Sequence, residues 1–146
     1  MSKNGRAVSI EIRGIESLLK RLEKVADYEK MKRVVSKATQ IVNRRVKQLC
    51  PSESGHLRNS IKMTVADFGG NIVGIVSTSC EYAGYVEFGT GIRGDGSAHP
   101  LTSKLGLAYR QDWAGQQAQP FMYEGFVQSE AKIKALIEDA IKESHV

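Results

Sequence analysis

"YEKMKRVVSKATQIVNRRVKQL", residues 28–49, carries the strongest periodic signal in the chain. Tyr28, Met31, Val34, Val35, Ala38, Ile41, Val42, Val46 and Leu49 recur every three or four residues. At about 100° per residue they form one apolar stripe. Lys30, Arg33, Lys37, Gln40, Arg44 and Lys47 form a second stripe, roughly opposite. The stretch reads as a long amphipathic helix with one face buried. Arg45 breaks the pattern, because its angle falls in the apolar sector. Such an arginine either finds a carboxylate or runs its stem out to the surface. Cys50-Pro51 ends the helix, since proline disfavours helix at the residue before it.

Working upstream, "AVSIEIR" (7–13) alternates apolar and polar residues, as a short strand does. Gly14 breaks it, and Ile15, Leu18, Leu19, Leu22 and Val25 then recur at helical spacing. Downstream, "PSESGH" reads as a loop, and "LRNSIKMTVADF" and "NIVGIVSTS" as two strands joined by the turn residues of "DFGGN". "YAGYVEF" (82–88) is either the next strand or a helical turn leading into one. Residues 89–119 show no sustained period and hold six glycines, which marks a long loop of the kind that carries function. Pro120 suits the first turn of a C-terminal helix, whose apolar face would be Met122, Phe126, Val127, Ile133, Leu136, Ile137, Ala140 and Ile141. The expected architecture is α+β in one domain, 1–146. A small, mostly antiparallel sheet packs on the long helix and the C-terminal helix, and a glycine-rich loop extends from it.

A chain of 146 residues can bury a proper core without staples. Its hydrophobic content of 41% is that of a globular protein. No apolar run approaches the roughly 20 residues of a membrane helix, and the N-terminus has no apolar signal core. Through Leu49 there are 13 Lys/Arg against 5 Asp/Glu, and thereafter 8 against 11. That asymmetry suits a nucleic-acid surface, or a subunit whose basic face meets an acidic neighbour.

Catalytic and ligand motifs fare poorly. "GTGIRG" (89–94) matches GxGxxG, but "DGSAHP" follows where a dinucleotide site needs a helix to open. There is no P-loop and no GxSxG elbow. Cys50 with His56 or His99 lacks familiar metal-ligand spacing. The basic stripe has no interleaved aromatics, so it does not read as a single-strand stacking platform. An enzyme is not expected. Glu87, a lone acid between Val86 and Phe88, is expected to form a salt bridge to a basic group, with Arg58 and Arg45 as candidates.

Three pieces, "PSESGHLRNSI" (51–61), "YAGYVEFGTG" (82–91) and "AQPFMYEGF" (118–126), occur in this order. Together they resemble the gene-product-ten family of head–tail joining proteins of long-tailed bacteriophages. The resemblance implies a structural protein of the virion neck or tail-completion region, forming a ring, commonly six-fold, between head connector and tail tube. DNA passes through the lumen, and no cofactor, metal or membrane is involved. It further implies that Arg58, Glu87, Phe88, Gly89, Thr90, Gly91, Pro120 and Phe121 are structural or interface residues, and that the 89–119 loop is an arm ordered against a neighbour. The stripe of Lys30, Arg33, Lys37, Arg44 and Lys47 would face a partner. The rival reading is a basic module that binds nucleic acid without sequence preference.

Overall fold

The computed structural model describes residues 15–51, 55–97, 99–101 and 107–144. The strand expected over 7–13 lies outside these residues. Helix α1 (Glu16–Glu23) buries Leu22, and the amides of Val25 and Ala26 close its end on the Leu22 carbonyl. Helix α2 (Tyr28–Leu49) begins where Asp27 places Oδ1 2.7 Å from the Lys30 amide. This N-cap contributes about 1 kcal/mol. At the other end Cys50 turns extended before Pro51, and Arg58 donates to the carbonyls of Lys47 and Cys50, both at 3.1 Å. A fixed cation there satisfies orphan carbonyls and opposes the negative end of the helix dipole.

The segment expected to be strand from Leu57 divides in two. His56–Ser60 is a short helical turn, α3, entered through Gly55 at φ 67°. The strand β1 starts only at Ile61 and runs to Phe68. Leu57 is buried from the turn rather than from a sheet, because the Ser60 hydroxyl bonds the Leu57 carbonyl at 2.6 Å and holds the chain coiled. β2 (Asn71–Thr78) pairs antiparallel with β1, Phe68 opposite Asn71 and Ile61 opposite Thr78. The two-residue turn, Gly69-Gly70, has both φ values positive, which is the hairpin turn whose twist matches that of the strands. The Asp67 carboxylate receives the Gly70 amide at 2.8 Å. Among the described residues the sheet is this hairpin alone.

Helix α6 (Phe121–Ser144) lies antiparallel to α2. Gly125 sits on Val46 at one end, and Lys30 Nζ donates to Ser144 Oγ at 2.6 Å at the other. α2 is thus packed between hairpin and helix, and each approach is made by a glycine. A Cβ on Gly125 would fall 2.5 Å from Val46 Cγ2, and one on Gly74 would collide with Thr39. Thr39 is itself buried and bonds back to the Val35 carbonyl. The core is Leu22, Val34, Val42, Val46, Leu57, Ile61, Phe121, Met122, Ile133, Ile137 and their neighbours. Val127, expected on the buried face of α6, is exposed. Gly125 and Ser129 lie on that face instead, because only small side chains admit α2 so closely.

"YAGYVEF" is helical: α4 spans Ala83–Phe88. Ala83, Glu87 and Phe88 are its buried positions, a spacing of four and five that belongs to a helix and overrides the apparent alternation. The loop-like region after it also contains a single helical turn, α5 (Gly91–Asp95).

Candidate functional site

The N-terminus of α6 has a problem of its own. Its capping position is Pro120, whose side chain accepts nothing, while the first amides of any helix need acceptors. The Phe121 amide bonds the Gln119 carbonyl at 2.8 Å. Glu87 serves the next two. Its Oε2 receives the Met122 amide at 2.9 Å, and its Oε1 receives the Tyr123 amide at 3.0 Å. His99 Nε2 lies 3.0 Å from the same Oε1. The Leu101 amide donates to His99 Nδ1 at 3.1 Å, so the ring proton sits on Nε2 and points at the carboxylate. Glu87 is 1% exposed, and the Phe88 and Tyr123 rings pack at a tilt against the His99 ring at centroid distances of 4.4 and 5.3 Å.

Neither arginine proposed for Glu87 reaches it. Arg58 is engaged at the end of α2. Arg45 turns outward to Gln128 and Gln48. Their place is taken by three donors, two of them backbone amides at the positive end of a 24-residue helix. A carboxylate buried this deeply is tolerated because each oxygen is hydrogen-bonded.

Immediately beyond, the chain doubles back to form a ledge. The Gly89 amide closes α4 on the Tyr85 carbonyl, and Tyr109 Oη donates to the Phe88 carbonyl at 3.0 Å. Thr90 and Gln116 exchange amide–carbonyl bonds at 2.9 and 3.1 Å, and the Ile92 amide reaches the Trp113 carbonyl at 3.0 Å. The two backbones touch: a Cβ on Gly91 would lie 2.5 Å from the Trp113 carbonyl oxygen, and one on Gly89 2.7 Å from the Ala118 amide. Gly91 and Gly115 also sit at φ 61° and 70°. Around this fixed backbone Tyr85, Ile92 and Trp113 stand 62%, 51% and 50% exposed. The described part of 89–119 is therefore ordered against its own chain.

Of the residues singled out in the sequence, Glu87, Phe88, Gly89, Thr90, Gly91, Pro120 and Phe121 come together here, with Phe88 and Phe121 in the interior. Arg58 lies apart, at the end of α2. The stripe on α2 is elsewhere again, with Arg33, Lys37 and Arg44 exposed, Lys47 half-buried and Lys30 tied to α6. His99 enters the sequence reading only as a rejected metal ligand, because nothing in "SAHP" marks it as a partner for Glu87. The one usable signal was Pro120, a helix start without a capping side chain. Cys50 and Cys80 are both free and buried, and burial pushes the Cys50 thiol above its ordinary value. Among the described residues no three His, Cys, Asp or Glu side chains are grouped to hold a metal. No described helix is long and apolar enough to cross a membrane.

Residues 16–89, from α1 through the end of α4, match a family model described as "Bacteriophage HK97-gp10, putative tail-component". No curated protein and no solved structure gives a significant match. The matched stretch is half of the chain and holds α2, the hairpin, Arg58 and Glu87, so the chain belongs to the HK97-gp10-like family of bacteriophage tail components.

Proposed function

We propose that the protein is a structural subunit that assembles, with copies of itself, into a ring at the phage head–tail junction and joins the head connector to the tail tube. The observation that carries this reading is the ledge. A backbone held by four amide–carbonyl bonds to residues 113–116 displays Trp113, Ile92 and the neighbouring Tyr85 to solvent. Large rigid aromatic and aliphatic groups on a preorganised base are what a protein–protein contact uses as anchors. The role is structural rather than enzymatic. The buried acid has its oxygens committed to α6 and His99 and offers no free group to a substrate. DNA passes through the lumen of the ring without specific contact, and the finished protein resides in the virion.

Trp113→Asp tests this directly. The side chain is half-exposed, so the melting curve should stay within about 1–2 °C of wild type. Electron microscopy of the purified protein should show rings for wild type and not for the variant, and virions carrying the variant should stall as unjoined heads and tails. Infectious particles at wild-type yield would refute the ledge as a contact.

A further inference from the structure

We infer that the basic face of α2 docks on the acidic outer face of α6 in a second copy of this chain, with Arg33 and Lys37 of one copy meeting Glu138 and Asp139 of the next. This deepens the ring reading and rests on it. On α2, Arg33, Lys37 and Arg44 are exposed, and none takes part in an ion pair among the described residues. Lys30 is different, being held by Ser144 and Glu143 of its own α6. On α6, Glu138 and Asp139 are adjacent, exposed and likewise outside every described ion pair. Lys134, one turn before them, is occupied by Glu130 at 3.2 Å. From Glu138 to Ser144 the helix carries Glu138 and Asp139 against Lys142, Glu143 being turned to Lys30 of its own chain. The two faces are complementary in sign.

Within one subunit they cannot meet. The stripe lies opposite the side of α2 that buries Val34, Val42 and Val46. Glu138 and Asp139 fall between the turns of Ile133, Ile137 and Ile141 that α6 turns inward. Their heights are nevertheless close. The Lys30–Ser144 contact ties the two antiparallel helices at one end. Five residues inward from Lys30 is the level between Arg33 and Lys37. Five residues inward from Ser144 is Asp139, while eleven residues inward from the Gly125–Val46 contact at the other end is Leu136, so the acidic pair lies within about one turn of that level. A ring closes by rotation with no advance along its axis. With the helix pair standing along that axis, the two halves of a head-to-tail contact must lie near one height, and these lie within about one turn of each other. Arg33 and Lys37 are one turn apart, about 6 Å, close enough for one acidic pair to engage both. A duplex phosphate backbone could take up the same cations, but it would leave Glu138 and Asp139 unused.

The test is a charge swap in the full chain, read by native mass spectrometry and light scattering over a range of concentrations. Arg33→Glu/Lys37→Glu and Glu138→Lys/Asp139→Lys should each weaken self-association by roughly tenfold or more. The four substitutions together should restore it. If either reversal unfolds the protein, Arg33→Gln/Lys37→Gln with Glu138→Gln/Asp139→Gln serves, and either neutral pair should weaken association in the same direction. Association unchanged in either pair, or a fourfold variant as dissociated as its parents, overturns the inference while leaving a wild-type ring standing. A wild type that stays monomeric at every concentration overturns the ring reading along with it. Duplex binding that falls log-linearly with salt and disappears in Arg33→Glu/Lys37→Glu, with self-association unmoved, would assign the stripe to nucleic acid instead.

Discussion

The Glu87 niche and the α2 stripe are the two charged regions the sequence brings forward, and they are opposites. Glu87 is buried, and three donors from α6 and His99 converge on it. Arg33, Lys37 and Arg44 are exposed and enter no ion pair among the described residues. A charge removed from water has to be used internally, because leaving it unpaired would cost several kcal/mol. A charge left in water contributes little to its own fold and stays free for a partner. Burial thus separates a charge that builds the subunit from charges that can join subunits.

The sharpest way to break that contrast is Glu87→Gln. All three partners are donors, so an amide must turn its own N–H₂ toward one of them. The loss should be about 3–5 kcal/mol, or a fall in melting temperature of the order of 10 °C for a chain of this size. Thermal unfolding measures it. A melting curve unchanged from wild type would mean that the carboxylate does not hold α6 in solution.

Next in size is the ledge. Gly91→Ala would place a methyl group 2.5 Å from the Trp113 carbonyl oxygen at a positive φ. The combined strain and separation of the two backbones should cost about 2–3 kcal/mol. Gly96→Ala supplies the control. Its φ is −78° and the nearest atom to a new Cβ is 3.6 Å away, so its melting curve should match wild type. Equal behaviour of the two variants would show that the 113–118 backbone does not stay docked on 89–94.

What was legible in the sequence follows the same division. The α2 helix, the hairpin and the C-terminal helix were readable because periodicity over long stretches is decided by each element's own buried face. The tail-component family was readable from three short pieces in order. Short elements went otherwise. "YAGYVEF" offers only seven residues, and strand and helix periods both fit it until Ala83, Glu87 and Phe88 are known to be buried together. "LRNS" reads as part of the strand, because the Ser60–Leu57 bond that coils it is set by local geometry and not by pattern. The partner of Glu87 was out of reach for a different reason. Two of its three donors are backbone amides, which every residue carries and no sequence marks. The third, His99, comes from a stretch with no sustained period to mark it.

The smallest expected effect divides the stripe itself. Lys30 looks equivalent to Arg33 and Lys37 on a helical projection, yet its ammonium reaches the end of α6. It donates to Ser144 Oγ at 2.6 Å and lies 3.8 Å from Glu143, with its side chain 20% exposed. Ser144 in turn donates to the Ala140 carbonyl, so the cation sits over the last turn of that helix, where the dipole favours it. Lys30→Met keeps the stem and removes the charge, and should destabilise by about 0.5–1 kcal/mol. Arg33→Met should stay within about 0.5 kcal/mol of wild type. Added salt screens the Glu143 and dipole terms. The gap between the two variants in urea melts should therefore narrow in about 1 M salt without closing, since the bond to Ser144 is not a charge pair. Coincident melts at low salt would place Lys30 with the solvated cations Arg33, Lys37 and Arg44.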